Sequence, residues 1–517
     1  MKNIGNSRRR SKRSRARKRR ALAGLAALIL VVLVAWFALH RVLGGPPHVA
    51  RVARDAGALE TPTPRPLPAP VGRPWTPAEI ARVRGELRAI FAPVKGDVRY
   101  SLVVLDASGK TIYEDHADRA VAPASVQKLV VSFASLNLLG PSYRFHTILA
   151  ASQGIGSDGA LDGDLWLVGS GDPSLRSEDL RAGVAALARA GLRSVGRVVV
   201  DPSAMRGPEI NPHWSAQDAN EDYQTATSAV SLDGDTAEFH VIGTTPGAPA
   251  RVSVVPKSSA LHVSGEIETS GGSDDVIIAA MAAPNTFYLH GTIPAGVEEK
   301  YWLPVHDIPR YDGAVLDEML REAGVTTARP PAVGAAPLSS VVLWDHRSKS
   351  LPALLKAMLY VSDNHYAEQL LRSLGGNATD VADDATGIAA ETQYLHARGI
   401  PTPGMHVVDG SGLAESNRIA AITLARILSD SALSDQGAEL YPLLPEGGKD
   451  GTLKYYDFAI SPQRIHAKTG HLSDAASLAG YVDTTHHGRM VFAFMINDSP
   501  GDPDTAYVRA VDRLAAW

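Results

Sequence analysis

Ser125 and Lys128, within Pro123-Ala124-Ser125-Val126-Gln127-Lys128, stand three residues apart at the head of an apolar run through Leu129, Val130, Val131, Phe133 and Leu136. On a helix, positions i and i+3 are neighbours on one face, so the two side chains can exchange a proton. A serine hydroxyl is a poor nucleophile until a base removes its proton, and a lysine is such a base only when neutral. Bringing an ordinary lysine from about 10.4 to near 7 takes about 4 kcal/mol, which burial and a second nearby cation can supply. Lys128 is the only lysine of the chain with a serine three positions before it. The plain alternative is an exposed helix lysine behind an N-cap serine; partners downstream decide between the two.

Two further groups have the types such a site needs. Ser362-Asp363-Asn364 follows a helical stretch, Leu351 to Val361, at a break where side chains are commonly displayed. Ser135-Leu136-Asn137 has the same Ser-x-Asn form, but it lies ten residues along the helix of Ser125, about 15 Å away by helical rise. Lys468-Thr469-Gly470 ends a candidate strand from Arg464 and is the only Lys-Thr-Gly of the sequence. A lysine there supplies positive potential for a substrate carboxylate and helps to keep Lys128 neutral. The threonine hydroxyl can bind that carboxylate, and the glycine lets substrate backbone approach closely.

The order Ser-x-x-Lys, Ser-x-Asn, Lys-Thr-Gly resembles that of the penicillin-recognising serine enzymes. More narrowly, the chain resembles the D-Ala-D-Ala carboxypeptidase C family, the low-molecular-mass class C penicillin-binding proteins. The narrower likeness rests on Pro-Ala-Ser at 123 to 125, Gly169-Ser170-Gly171-Asp172-Pro173, Asp201-Pro202-Ser203, Asp409-Gly410-Ser411-Gly412-Leu413, Gly451-Thr452-Leu453 and Ala467-Lys468-Thr469-Gly470. The separation of 237 positions from Ser125 to Ser362 suits that family's inserted domains. The likeness runs from about Asp97 to the C-terminus. It implies hydrolysis of the terminal D-Ala-D-Ala bond of peptidoglycan stem peptides, endopeptidase cleavage of D-alanyl cross-links, and acylation by β-lactam antibiotics. Mapped by motif, it implies Ser125 as nucleophile and Lys128 as its base. Ser362 would relay a proton to the leaving amine, Asn364 would orient the acyl amide, and Lys468 with Thr469 would bind the terminal carboxylate. Gly470 and His471 complete the substrate strand, and the oxyanion hole is expected from the backbone N–H groups of Ser125 and His471. His471 stands where the family pattern leads one to expect threonine, which keeps the backbone donor and leaves carboxylate selectivity open. A β-lactamase, or a non-catalytic wall-binding scaffold on the same fold, are the alternatives.

The elements that would position these residues follow from the pattern. Thr76-Pro77-Ala78-Glu79 carries an N-cap, a proline at the first helical position and a glutamate at the third, so a helix should begin there and end by Pro93. Tyr100 to Leu105 and Thr111 to Tyr113 flank a turn at Asp106-Ala107-Ser108-Gly109. From 147 to 344 the texture becomes short β-rich segments, broken by a helix over Leu180 to Ala190 and a strand over Gly196 to Val200, and reads as inserted material. Helical patterning returns at Leu351 to Val361 and Tyr366 to Leu374. Strands are expected over Arg464 to Lys468, Ser477 to Val482 and Met490 to Ile496, with a helix from Asp504 to Trp517. The two strands before the insert and three after it make one antiparallel sheet with terminal helices, an α+β fold of β-lactamase/transpeptidase type with a helical subdomain. The catalytic part would then be 76–146 and 345–517, carrying a β-rich insertion at 147–344.

At 517 residues more than one core is expected, and the absence of cysteine excludes disulfides, a thiolate nucleophile and a cysteine zinc site. The first twenty residues carry eleven Lys and Arg and no acid. Ala21 to Leu39 then runs nineteen residues without a charge, the length of a membrane span. We read residues 1–20 as a cytoplasmic basic tail, 21–43 as a single-pass signal-anchor in the inner membrane, and 44–75 as a proline-rich spacer, with the remainder at the periplasmic face. A cleaved signal peptide is the alternative. Beyond the tail the net charge falls from −4 to −15, which argues against nucleic acid as a partner. His365, His466, His471 and His486-His487 read as loop or surface histidines, since no metal-binding spacing occurs among them; no metal or cofactor is needed. Asp409 and Asp172 read as residues that fix turns.

Overall fold

Thr76 caps the first helix as its sequence signals: its hydroxyl accepts from Glu79 N at 3.3 Å, and Glu79 Oε2 accepts from Thr76 N at 2.9 Å. The computed structural model describes residues 72–96, 98–379, 381–433 and 440–517. The basic tail, the anchor and all but the last four residues of the spacer lie outside them. Among the described residues no helix is long and apolar enough to cross a membrane. Packing begins ahead of Thr76. The Trp75 ring stacks on His487 at 3.7 Å, and His487 Nδ1 donates to the Arg73 carbonyl at 2.9 Å.

The first helix, α1 (Pro77–Lys95), runs two residues past Pro93. In the last turn a proline forfeits one hydrogen bond without stopping the chain, so it ends the helix less sharply than the sequence suggests. Strands β1 (Arg99–Leu105) and β2 (Thr111–Asp115) follow, joined by a turn in which Asp106 Oδ1 accepts from Ser108 N and Lys110 N at 2.9 and 3.0 Å. Helix α2 (Lys128–Leu138) comes next. After the insert come α5 (Leu351–Val361), α6 (Asn364–Thr379), α7 (Asp384–Ala397) and α8 (Ala421–Leu433). The chain closes with β3 (Ile465–Leu472), β4 (Ala475–Asp483), β5 (Arg489–Asn497) and α9 (Pro503–Ala515).

The five strands form one antiparallel sheet in the order β3-β4-β5-β1-β2. Both its faces are covered, so its central strands are apolar on both sides: every residue of β5 is buried. Helices α1 and α9 pack on one face through Val83, Leu87, Phe91, Tyr507, Val511 and Leu514. The other face carries α2 and α8, behind which α5, α6 and α7 extend the core through Leu355, Leu370, Leu371 and Leu395. The edge strand β3 borders the head of α2.

The insert begins and ends on one strand pair. His146–Ala151 lies antiparallel to Val341–Arg347, so its two ends are zipped together. It has its own core around Leu165, Val198, Phe239, Phe287 and Leu316. Ala160–Gly169 and Ser194–Asp201 are parallel neighbours joined through helix α3 (Ser177–Arg189), and smaller sheets are built on Thr236–Ile242 and Thr286–Pro294. Helix α4 (Ile308–Glu322) also lies here, within the stretch read as mainly β. Three of the histidines read as loop or surface residues are buried instead: His365, His466 and His487.

Candidate active site

The loop that carries Ser125 is held under strain. Ala124–Gln127 forms a 3-10 turn leading into α2, and Ala124 sits at φ +50°, a left-handed conformation that costs a non-glycine residue about 1–3 kcal/mol. Two neighbours hold it there. Gly412 comes so close that a Cβ on it would stand 2.0 Å from the Ala124 carbonyl oxygen, and Ser477 Oγ donates to the Pro123 carbonyl at 2.6 Å. The turn aims Ser125 at the mouth of the site and Lys128 beneath it.

Lys128 is fully buried and its Nζ has three partners. It donates to Ser125 Oγ at 3.0 Å, to Asn364 Oδ1 at 2.7 Å and to the Ser411 carbonyl at 2.8 Å. Burial pulls its pKa down to about 8, while Asp409, Glu368 and Asp363 pull the other way. A value near 7 was expected; these carboxyl groups are the reason it stops higher. About one molecule in ten then carries the neutral amine at pH 7.

Ser362 caps α5 in a left-handed conformation, φ +63°. That turns its hydroxyl toward β3, where Lys468 Nζ donates to it at 2.9 Å and to the Thr469 carbonyl at 2.6 Å. Lys468 is fully buried, and burial followed by the charge of Lys128 holds its pKa well below the usual lysine range. The two motif lysines are therefore both desolvated, one bonded to Ser125 and the other to Ser362.

Gly470 is where β3 meets the turn that carries Ser125. A Cβ there would stand 2.7 Å from Ser125 N, 3.0 Å from Val126 N and 2.4 Å from Ser477 Oγ, so only glycine lets strand and helix head approach this closely. Beside it opens a cavity of about 700 Å³ lined by Ser125, Ser362, Thr452, Thr469, Gly470 and His471. The hydroxyls of Thr469 and Thr452 are 2.7 Å apart. The His471 ring is anchored by Asp504, Nε2 to Oδ2 2.8 Å, and Tyr456 OH donates to the other Asp504 oxygen at 2.9 Å. Lys468 does not line this cavity; its amine is turned inward.

All eight site residues expected from sequence thus converge, and several that were not expected join them. Asp409 fixes its turn as read, but with five donors onto its carboxylate: Gly412 N, Asn417 Nδ2 and Gln127 Nε2 at 2.8, 2.8 and 3.2 Å, and Ala414 N and Trp214 Nε1 at 2.7 and 3.0 Å. The insert reaches the site too. Asn364 Nδ2 donates to the Tyr223 carbonyl at 3.0 Å, and buried His365 joins Ala226 O at 2.9 Å and Ser231 Oγ at 2.8 Å. The available signal is a histidine immediately after Asn364; with no metal-binding spacing among the histidines it reads as a loop or surface residue.

A model of the D-Ala-D-Ala carboxypeptidase 3 (S13) family matches residues 94–516. The D-alanyl-D-alanine carboxypeptidase of Actinomadura sp. (strain R39) is 28% identical over 462 residues, 85% of this chain and 86% of that protein. D-alanyl-D-alanine carboxypeptidase DacB of Haemophilus influenzae is 26% identical over 433 residues, 80% of this chain and 87% of that one. The crystal structure of penicillin binding protein 4 (dacB) from Haemophilus influenzae shares the fold, with a TM-score of 0.72 at 23% identity over 83% of this chain and 98% of that chain.

Proposed function

Because the chain belongs to the D-Ala-D-Ala carboxypeptidase 3 (S13) family, we propose that Ser125 is the nucleophile by which it hydrolyses D-Ala-D-Ala peptides, with Lys128 as the base of acylation. The observation that carries this reading is the buried Lys128 amine 3.0 Å from Ser125 Oγ. Neutral Lys128 takes the hydroxyl proton as Oγ attacks the penultimate carbonyl carbon. The oxyanion forms between the backbone N–H groups of Ser125 and His471. Asn364 orients the acyl amide, Ser362 passes the proton to the leaving amine, the C–N bond breaks, and water later releases the acyl group from Ser125.

The terminal carboxylate is met by the hydroxyls of Thr469 and Thr452 and by the Asp504-anchored ring of His471, which line the cavity. Lys468, buried behind them, acts through Ser362. The same geometry accepts a D-alanyl cross-link whose leaving group carries a carboxylate beside the amine, so DD-endopeptidase action on peptidoglycan belongs to this reading, as does acylation by β-lactams. Incubation with a disaccharide pentapeptide and with a cross-linked muropeptide dimer is expected to release D-alanine from the first and monomers from the second. Turnover of neither would refute the reading.

The basic first twenty residues and the uncharged Ala21 to Leu39 support a location at the outer face of the inner membrane, single-pass anchored. Retention of the native chain in washed membranes and its release only by detergent is the expected result; recovery of a shortened form in the periplasmic fluid would favour signal cleavage instead.

A further inference from the structure

Lys128 does not meet Ser125 alone; a peptide carbonyl holds it from behind, and that peptide is itself held. The loop Asp409 to Gly412 presents the Ser411 carbonyl to Lys128 Nζ at 2.8 Å. On its other side the N–H groups of the same loop point at Glu368. Ser411 N donates to Glu368 Oε1 at 2.8 Å, and Gly410 N donates to both carboxyl oxygens at 3.1 Å. Glu368 is 2% exposed and stands four residues after Asn364 on α6. Positions i and i+4 share a helix face. One face of α6 therefore reaches Lys128 twice, directly through Asn364 Oδ1 at 2.7 Å and indirectly through Glu368 and the Ser411 peptide.

We propose that Glu368 is a positioning residue of the acylation step: it clamps the Gly410 and Ser411 N–H groups, fixes the Ser411 carbonyl on Lys128 and so aims the base at Ser125. The assignment rests on Lys128 being that base. A buried carboxyl group accepting from peptide N–H groups is an expensive arrangement unless the loop it holds must not move. Asp409 fixes the remainder of the loop through five donors, so the Ser411 carbonyl has little freedom left. The charged groups around Glu368 are Lys128 from α2, Asp409 from the loop, and Asp384 and Glu391 from α7, with Asp384 bound by Arg372 of α6 at 2.7 and 3.2 Å. Burial, then Asp409 and Asp384, push Glu368 up to about 8, the same range in which Lys128 titrates. Lys128 in turn feels the charge of Glu368.

The test is the second-order rate of acylation by benzylpenicillin as a function of pH, measured on the full chain beside its thermal midpoint. In Glu368→Gln one amide oxygen must serve two N–H groups while its own NH2 opposes one of them, so the loop loosens. The expected result is a fall of about 10²-fold, the scale of a catalytic group misplaced by an ångström. The midpoint of the acid limb, near pH 8 where Glu368 is about half ionised, should also move to lower pH, because a negative charge that favours protonated Lys128 has gone. Glu368→Asp keeps the charge but falls a methylene short. It should restore the midpoint of the acid limb and not the rate. Wild-type rate and midpoint in Glu368→Gln would overturn the assignment, as would a loss that only tracks the folded fraction with the midpoint unmoved. Should Glu368→Gln not fold, Glu368→Asp decides: a wild-type acylation rate there overturns it. If the unmodified chain does not acylate at all, it is the reading of Lys128 and Ser125 that fails.

Discussion

Lys128→Met is expected to react with benzylpenicillin about 10²–10⁴-fold more slowly than the unmodified chain while folding normally, the range removed with a general base. Methionine fills the volume of a side chain that is fully buried, and it brings no charge into a site where burial already opposes one. What disappears is the amine that touches Ser125, Asn364 and Ser411. The unmodified chain supplies the second half of the prediction. Acylation needs the neutral amine, and Lys128 lies at about 8, so the rate should climb roughly tenfold per pH unit below 7 and level off above about 8. Lys128→Met should lose that slope. A variant that acylates within a factor of ten of the parent, with the same pH dependence, would mean that another group takes the proton.

Gly470→Ala should be nearly as damaging for a different reason. The added methyl would stand 2.7 Å from Ser125 N and 2.4 Å from Ser477 Oγ, closer than carbon atoms approach in folded proteins. Strand β3 must move away from the head of α2, and with it the His471 N–H that we propose as one donor of the oxyanion hole. Loss of one such donor costs about 10²–10³ in rate, so a fall of at least 10² is expected in peptide hydrolysis and penicillin acylation alike. Adding Ser477→Ala separates the two contacts. It removes the hydroxyl clash and leaves the backbone clash, so the double variant should recover thermal stability and not activity. Recovery of both would place the damage at Ser477 and not at the oxyanion hole.

Much of this site was legible because its chemistry is local in sequence. Ser125 and Lys128 are three residues apart, Ser362 and Asn364 two, and Lys468, Thr469 and Gly470 are consecutive, so each motif signals itself. Glu368 does not. A glutamate on a helix is ordinary, and its partners Gly410 and Ser411 lie some forty residues away; the one hint is its place among Ala367, Leu370 and Leu371 in a stretch of α6 that is buried all round. Tyr223 is beyond sequence reasoning for the same reason, since it contributes a carbonyl, which every residue has.

The sheet was legible through its apolar runs, and its five strands and terminal helices lie close to where the pattern puts them, with β3 running four residues past Lys468 to Leu472 and α1 two past Pro93. Helix α8 was not legible, because it is buried against the sheet and α2 over most of its surface and leaves the narrow stripe Ile422, Arg426 and Asp430 partly exposed. Helix α7 is rich in alanine, threonine and glycine, a composition that gives little contrast between faces. Helix α4 is a different case. Ile308, Tyr311, Val315, Met319 and Leu320 do repeat at helical spacing, but the β-rich texture around them masks it.

The central claim is that an acyl group is carried on Ser125. Its most direct test is peptide mapping by mass spectrometry of the detergent-solubilised full chain after brief exposure to benzylpenicillin, with Ser125→Ala alongside. One penicilloyl group per chain, on the peptide containing Ser125, lasting minutes or longer and absent from Ser125→Ala, is the predicted result. Rapid turnover of the antibiotic with no lasting adduct would point to a β-lactamase, and an adduct on another residue, or none on the folded chain, would contradict the account.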